Sequence, residues 1–295
     1  MANLKEVRSR IESVKSTQQI TSAMKMVAAS KLRKAQNAIF TMRPYATKLR
    51  EIMQNVSSGV ESKAENIYAE QRTPQRILII AISSNRGLCG PFNANIGKAV
   101  IQRINEKFSF QYKSGNVDIF TIGKKGNDFL RVRKFTISHR DDQILEKLSF
   151  DTIRPIAEDL MAQFASKKYD HIEIIYNQFK NAAVQILQNE QFLPIVQDNT
   201  QLISKSLHKT DYIFEPSKEE IIQELIPKSL KIQLYKSLLD SLASEHGARM
   251  TAMNKATENA QEMLKNLKLS YNKARQAAIT NEILEIVGGA EALKG

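Results

Sequence analysis

Two long stretches at the ends of the sequence contain almost none of the residues that end helices. Residues 1–58 have no glycine and a single proline, and residues 228–287 have no proline and a single glycine. Helices of globular proteins usually run for about 8–20 residues. Stretches of this length without a helix breaker therefore predict two unusually long helices, one at each end of the chain.

Apolar residues in both stretches recur at steps of three and four, a period close to 3.5 that is typical of a coiled coil. The first helix leads into the middle of the chain and the last leads out of it, so two helices that pack together must be antiparallel. The pair Gly288-Gly289 predicts where the last helix ends. The apolar positions are Leu4, Val7, Ile11, Val14, Met24, Ala28, Leu32, Ala35, Ile39 and Met42, and Leu230, Leu234, Leu238, Leu242, Ala260, Leu264, Leu267, Tyr271, Ala274, Ala278, Ile283 and Ile286.

The middle of the chain has a different period. Residues 76–83, RILIIAIS, form a continuous apolar run typical of a strand buried on both faces. Alternating strands and helices predict a mostly parallel, Rossmann-like α/β domain with a hairpin at one edge. The predicted domains are an N-terminal coiled-coil helix (1–58), a central α/β domain (59–216) and a C-terminal coiled-coil helix (217–295). The predicted strands are 76–83, 117–123, 135–138, 171–177 and 183–193, and the predicted helices of this domain are 93–108 and 150–167.

The chain is basic, with a net charge of +12. The first 50 residues carry eleven Lys and Arg against two Asp and Glu, a local charge of +9. Such a balance favours nucleic acid, an anionic membrane surface or an acidic protein as partner, whereas a solvated helix face is the alternative. The single cysteine excludes an intramolecular disulfide and fits a reducing compartment. No apolar run approaches the ~20 residues that span a bilayer, so we expect a soluble chain or one attached to a membrane through partners.

Part of the predicted coiled coil is apolar on most of its sides. Residues 20–30, ITSAMKMVAAS, contain one charged residue, Lys25, and the tail from Gln276 to Ala290 is similarly apolar. A helix that is apolar all round is buried all round, and one partner helix cannot cover that much surface. We therefore expect this part to lie inside another structure. The alternatives are a third helix of the same chain and self-association.

No constellation of residues predicts an active site. The loop at residues 83–93 lies between a strand and a helix, where α/β folds place phosphate-binding loops. It lacks both G-x-G-x-x-G and the Lys-Ser/Thr of a P-loop. We interpret it as a structural turn in which Gly87 and Gly90 supply unusual dihedral angles, with Cys89 as an inert, partly buried thiol. The four histidines are scattered, so we predict no catalytic residue, cofactor or metal.

Three segments resemble one known family. KEVRSRIESVKSTQQITSAMKMVAASKLRKAQ (5–36) resembles the opening helix of ATP synthase gamma subunits, and SSNRGLCGPFNANI (83–96) resembles their first-strand motif. The segment from Ser244 to Leu293, which begins SEHGARMTAMNKATENAQ, resembles their closing helix. Pro91 departs from the family pattern, in which a second glycine commonly follows the central motif. The chain is therefore identified by resemblance as a member of that family.

The resemblance implies a non-catalytic rotor shaft. The coiled coil would fill the cavity of a ring of alpha and beta subunits, and the α/β domain would contact the epsilon subunit and the membrane ring of c subunits. The chemistry would belong to the beta subunits, with no nucleic acid bound and no direct membrane insertion. The location implied is peripheral, at the cytoplasmic face of the bacterial plasma membrane.

The resemblance also implies which residues contact the catalytic subunits. These are Arg275, Gln276, Thr280 and Glu282 of the ARQAAITNE stretch, with Met24 of the first helix expected in the same packed zone. The four are polar groups on an otherwise apolar helix end, and buried polar groups need partners. The apolar residues that follow would form a smooth bearing surface inside the ring: Ile283, Leu284, Ile286 and Val287.

Two other classes of function are compatible with composition and period alone. One is a basic coiled-coil protein that binds nucleic acid or acts as a scaffold, whose binding to nucleic acid would weaken steeply with salt. The other is an α/β enzyme with a helical dimerisation arm, which requires a site in the central domain.

Overall fold

The computed structural model describes residues 4–57, 67–195 and 218–292. The predicted domain boundaries at 58/59 and 216/217 lie outside these residues. The helices are α1 (Leu4–Ser57), α2 (Phe92–Lys107), α3 (Ser109–Lys113), α4 (Lys124–Val132), α5 (Phe150–Ala165) and α6 (Lys218–Ala292), with a short 3-10 turn at Ile67–Ala69. The strands are β1 (Ile77–Ile82), β2 (Val117–Ile122), β3 (His139–Asp141), β4 (His171–Phe179) and β5 (Gln185–Leu193).

The chain divides into two compact units. One unit holds the residues up to 29 and those from 249 onward, and the other holds residues 30–248. The long helices α1 and α6 each contribute to both units, so the coiled coil is not a unit of its own.

The unit of residues 30–248 contains one five-stranded sheet in the order β3-β2-β1-β4-β5. The strand β1 pairs in parallel with both β2 and β4, and β5 pairs antiparallel with β4 at the edge. The sheet confirms the predicted mostly parallel α/β fold with an added hairpin. All six residues of β1 are buried, as its continuous apolar run predicts.

Each face of this sheet is covered by helices. On one face Ile96, Val100 and Ile104 of α2 pack with alternate residues of β1. On the other face residues of α5 and α6 pack together over the sheet, including Phe164 and Leu234. The C-terminal helix is therefore part of the core of the α/β domain.

The unit of residues 4–29 and 249–292 is a two-helix antiparallel pair. The Thr257 hydroxyl donates to the Thr21 hydroxyl over 2.8 Å, and Lys25 Nζ donates to Asn254 Oδ1 over 2.5 Å. As the residue number rises along α1 from 21 to 25, the number of the partner residue on α6 falls from 257 to 254. This order confirms the antiparallel coiled coil.

The structure corrects three details of the sequence analysis. The third strand is His139–Asp141 and not residues 135–138, and the helix α4 at Lys124–Val132 was not predicted. The last helix does not end at Gly288-Gly289 but continues to Ala292. Glycine only weakens a helix, by about 1 kcal/mol per residue relative to alanine, and good helix formers stand on both sides of this pair.

Candidate functional site

The crevice in which open α/β sheets usually bind ligands is filled in this chain by its own last helix. That crevice lies outside the carboxyl ends of the strands, where the strand order reverses, which here is between β1 and β4. Ala248 of α6 forms a buried cluster there with Cys89 and Phe92. A Cβ atom added to Gly247 would lie only 3.2 Å from the Cα of Ala182, in the loop after β4. The helix and the loop are thus in close contact, and the crevice is closed.

The loop after β1 is a self-contained turn. The side-chain oxygen of Asn93 accepts a hydrogen bond from the Ser84 amide over 3.0 Å, and the Asn93 amide nitrogen lies 3.2 Å from the Cys89 sulfur. Cys89 is 1% exposed, more deeply buried than expected. Gly90 has the predicted positive φ, of 58°, but the second residue of this kind is Leu88, at 61°, and not Gly87. The loop therefore holds itself together, and its thiol is shielded from solvent.

The start of α4 also lacks the free amides that bind phosphate at a helix N-terminus. The amide of Lys124 donates to Asn85 Oδ1 over 3.2 Å, and the amide of Gly126 donates to the Ser83 hydroxyl over 2.9 Å. The amide of Lys125 donates to the Ser84 carbonyl over 2.9 Å. Residues of the loop after β1 thus take the place that an anion would occupy.

A buried ionic cluster lies at the start of β4. Arg103 of α2 donates to both carboxylate oxygens of Glu173, over 2.6 and 2.5 Å, and His171 Nε2 lies 2.8 Å from Oε1. Burial by itself would raise the pKa of Glu173, but the hydrogen bonds from His171 and Arg103 lower the pKa to about 2. These groups satisfy one another and join α2 to the sheet. Among the described residues, no group of three or more His, Cys, Asp and Glu could hold a metal ion.

The coiled-coil unit exposes large apolar side chains on α1. Ile20, Met26 and Val27 are 57%, 65% and 58% exposed, whereas Ala28 beside them is buried. The partner helix α6 therefore covers only the predicted stripe and leaves the rest of the apolar surface in water. Apolar surface on several sides of a helix is typical of a site that binds another protein.

The end of α6 extends beyond α1. Thr21 lies opposite Thr257, and each residue back along α1 corresponds to about one residue forward along α6. Leu4 therefore lies at the level of about residue 274. Every residue from 275 to 291, which we call the tip, is exposed. The tip includes Ile283 and Leu284, at 54% and 63%, and Ile286 and Val287, at 66% and 54%. Ala278, Ile283 and Ile286, which were predicted on the apolar stripe of the coiled coil, are therefore exposed in the described part of the chain.

The predicted contact residues fall in two places. Arg275, Gln276, Thr280 and Glu282 all lie on the tip and are exposed, and the Thr280 hydroxyl donates to the Gln276 carbonyl over 2.9 Å. Met24 is half-buried, and its neighbour Lys25 bonds Asn254, which precedes residue 275 by about 32 Å along α6. Met24 and the tip therefore lie at different levels of the helix pair, and the contact of each with the catalytic subunits stays a prediction.

Most of the basic side chains of α1 face solvent. Lys5, Arg10 and Lys15 are exposed, and Arg8 makes an exposed ion pair with Glu12 over 3.7 Å. This fits a charged outer surface, and exposed ion pairs of this kind contribute little to stability. Among the described residues, no helix has the length and hydropathy needed to cross a membrane.

Together these features define a class of protein: one in which the first and last helices form a long antiparallel pair, an α/β domain is inserted between them in the chain, and the candidate site is exposed helix surface. The ATP synthase family model matches residues 3–293 of the chain. An ATP synthase gamma chain of Christiangramia forsetii is 60% identical over 295 residues, which is 100% of both chains. The chain therefore belongs to the ATP synthase gamma chain family.

Solved structures agree with this assignment. A chain from the central stalk and c-ring of the Tetrahymena thermophila mitochondrial ATP synthase is 26% identical, with a TM-score of 0.56, and the match covers 80% of this chain and 99% of that one. A chain of the Euglena gracilis mitochondrial ATP synthase is 22% identical, with a TM-score of 0.69 and coverage of 98% and 94%, and supports the fold. The family assignment does not favour a basic nucleic-acid-binding or scaffold protein.

Proposed function

We propose that this chain is the central rotor shaft of an ATP synthase head and couples proton flow through the membrane sector to ATP synthesis at the beta subunits. The observation that carries the proposal is the tip: a continuous helix end, exposed on every side and rich in large apolar residues. Water is a poor environment for such a surface. An enclosing ring of partner subunits would cover it.

The proposed partners follow from the family. The relative in Tetrahymena belongs to a structure of the central stalk and c-ring. By analogy, the coiled coil of this chain would lie inside the alpha and beta subunits, and its α/β domain would contact epsilon and the c subunits. The chain would then be peripheral, at the cytoplasmic face of the plasma membrane.

In this role the chain carries out no chemistry and needs no cofactor. An asymmetric shaft touches three identical catalytic subunits in three different ways, and a conformational equilibrium responds to a partner only through differential contact with its states. Shifting one site from 1:99 to 99:1 takes about 5.5 kcal/mol of such difference. Rotation of the shaft moves this bias from one subunit to the next.

We assign two kinds of contact to the tip. The polar groups Arg275, Gln276, Thr280 and Glu282 would hydrogen-bond the catalytic subunits, and Met24 would contact them at a separate level of the coiled coil. The apolar groups Ile283, Leu284, Ile286 and Val287 would act as a bearing. Hydrophobic contact is non-directional, so it changes little as the shaft turns, whereas a fixed hydrogen bond would resist rotation.

Reconstitution tests the proposal. Vesicles are prepared that carry the alpha and beta subunits and the membrane sector but lack this subunit, and the purified chain is added to them. ATP hydrolysis and proton pumping are then measured. We expect the chain to restore pumping driven by ATP, and a bead attached to its α/β domain to rotate during hydrolysis. Hydrolysis of ATP by the purified chain alone, or pumping that is equally fast without it, would contradict the proposed function.

A further inference from the structure

The two most exposed large apolar side chains among the described residues lie in the α/β domain. Val132 is 80% exposed and Phe110 is 76% exposed, more than any large apolar residue of the tip. Val132 is the last residue of α4, and Phe110 lies in the short helix α3. Single exposed apolar residues are normal on a protein surface, whereas exposed apolar residues that share one surface indicate a contact site.

The helix α3 and the end of α4 lie at the same end of the sheet. The strands β1, β2 and β3 are parallel, so a helix that connects two of them returns to their amino ends and finishes there. The Gln111 amide donates to the Pro74 carbonyl, just before β1, over 3.1 Å. The Tyr112 ring lies 5.2 Å from the ring of Phe135, just after α4. The helix α3 therefore adjoins both the start of β1 and the end of α4.

The surface around these two apolar side chains is basic. We call the surface formed by residues 106–116 and 131–135 the amino-end face. It carries five basic residues and one acidic residue, Glu106, and all six are exposed. The basic residues are Lys107, Lys113, Arg131, Arg133 and Lys134.

Contacts within the domain explain part of this charge. The last turns of α2, α3 and α4 each contain a basic residue, which stabilises the helix dipole. The guanidinium carbon of Arg133 lies 3.6 Å from the centre of the Phe129 ring. Neither role requires a large apolar side chain in water beside the charge. The combination of exposed apolar and basic groups therefore indicates a partner that is both anionic and apolar.

We propose that the amino-end face contacts the headgroup region of an anionic phospholipid membrane. Such a membrane offers phosphate groups to the basic side chains and, just beneath them, hydrocarbon to Phe110 and Val132. Clusters of about four to eight Lys and Arg are typical of surfaces that bind acidic lipids, and this face has five. The contact is made by side chains at the level of the headgroups, with no inserted helix.

The position of this face beside the membrane rests on the rotor function proposed above. Ala248 lies at the carboxyl ends of the strands, and in that function α6 continues from there toward the head. The amino-end face would then point away from the head and toward the membrane. A contact made by two apolar side chains and a few charges is weak and reversible, so it would not hold the rotor at one angle.

The first experiment uses the absence of tryptophan from the chain. In the full-length Phe110→Trp protein a single indole reports on the amino-end face. The protein is mixed with vesicles of brominated phosphatidylcholine, with or without phosphatidylglycerol. We expect a blue shift and quenching of the emission only when phosphatidylglycerol is present. The absence of both changes with the anionic vesicles would overturn the proposal.

A matched reporter on α1 separates this contact from general attraction. Phe40 is 64% exposed and lies on the basic helix α1. The Phe40→Trp protein should bind the same anionic vesicles without quenching of its emission, because Phe40 lies outside the amino-end face. Equal quenching of the two reporters would mean that the chain binds lipid through its net charge alone, and would overturn the proposed site.

A charge variant tests the basic residues of the face. The full-length triple variant Lys113→Gln, Arg131→Gln and Lys134→Gln should bind phosphatidylglycerol vesicles about tenfold more weakly than the wild type, measured by co-sedimentation. The control removes three exposed lysines elsewhere in the same unit, and so the same charge. Its changes are Lys98→Gln, Lys147→Gln and Lys180→Gln. The control should lose less than about twofold, and equal losses in the two proteins would contradict the assignment.

The assembled complex shows whether the face meets lipid in the rotor. Phe110→Cys is labelled with an environment-sensitive fluorophore before assembly, while Cys89 is 1% exposed and shielded from the reagent. We expect brominated phosphatidylglycerol to quench the label in vesicles that carry the complex. Quenching in the free chain but not in the complex would overturn the proposal. Wild-type chain that fails to restore pumping would contradict the rotor function, whereas normal pumping without quenching would contradict only the lipid contact.

Discussion

The part of α6 from Leu230 to Ala248, which we call the embedded segment, and the tip belong to one helix but have opposite surroundings. No side chain between residues 230 and 248 is exposed, whereas every residue between 275 and 291 is. Both parts contain large apolar residues, such as Leu238 at 0% and Leu284 at 63%. Apolar content alone therefore does not determine burial within the chain.

The difference in burial shows which part stabilises the isolated chain and which part is available to a partner. The apolar groups of the embedded segment build the core of the α/β domain. The apolar groups of the tip contribute little to the stability of the isolated chain, because they remain exposed to water after folding. The tip is helical because it extends an existing helix, which avoids the unfavourable nucleation step. The side chains of the tip are thus available for contact with a partner protein.

The largest expected effect comes from truncating a leucine in each part. Leu238→Ala should lower the free energy of unfolding of the isolated chain by about 4 kcal/mol, through lost burial and the cavity left behind. The matched change Leu284→Ala should alter it by less than about 0.5 kcal/mol, as surface substitutions usually do. Urea unfolding followed by circular dichroism measures both. Similar losses at the two positions would mean that the tip packs against its own chain.

A matched pair of carboxylates extends the comparison to charge. Glu173→Gln removes the charge that Arg103 and His171 bind, and breaking a buried ion pair in this way should lower the free energy of unfolding by about 3 kcal/mol. Glu285→Gln, on the exposed tip, should have almost no effect. The same unfolding measurement applies, and an unaffected Glu173→Gln protein would show that the cluster is not a source of stability.

The same carboxylate makes stability depend on pH. Its pKa is lowered from 4.5 when unfolded to about 2 in the folded chain, so the stabilisation is complete above about pH 4.5 and is lost as the pH falls toward 2. A shift of this size corresponds to about 3 kcal/mol. The wild-type chain should therefore lose more stability between pH 5 and pH 3 than the Glu173→Gln protein. Parallel pH profiles for the two proteins would contradict the assignment.

Local signals in the sequence were sufficient for much of the fold. The apolar run at Ile77–Ile82 and the three-and-four spacing around Leu32 and Leu234 are properties of neighbouring residues, and all of these positions are buried as predicted. The helix α4 was missed because it is short and contains Gly126. That glycine is required by tertiary contact, since an added Cβ would lie 2.6 Å from the Ser83 hydroxyl oxygen.

The candidate site was less predictable. The sequence indicated that residues 20–30 and the last helix end are too apolar for one partner helix, and the exposure of Met26 and Ile286 agrees. The level of Met24 along α6 could not be predicted, because the offset between two helices depends on contacts such as Lys25 with Asn254.

A smaller effect is expected from a polar group of the tip. Gln276→Ala should leave the unfolding of the isolated chain unchanged, because Gln276 is exposed there. In the assembled complex it should remove about one hydrogen bond to a catalytic subunit, about 1 kcal/mol, and so lower coupled ATP synthesis about fivefold. Synthesis and steady-state hydrolysis are compared with those of the wild type. If ATP synthesis and hydrolysis both proceed at wild-type rates, Gln276 does not belong to the contact surface.

The smallest effect on coupling is expected from deleting residues 288–295. The described part of this segment, up to Ala292, continues the helix past Val287 and adds no charge except Glu291. If the end of the shaft acts as a bearing, its contacts are non-directional and carry no information about angle. The deletion should then reduce the yield and heat stability of the assembled complex and leave the protons pumped per ATP unchanged. A pumping ratio that collapses in complexes that still hydrolyse ATP would show that the end of the helix carries the coupling. In that case the end of the helix would be interpreted not as a bearing but as a contact that distinguishes the three catalytic subunits.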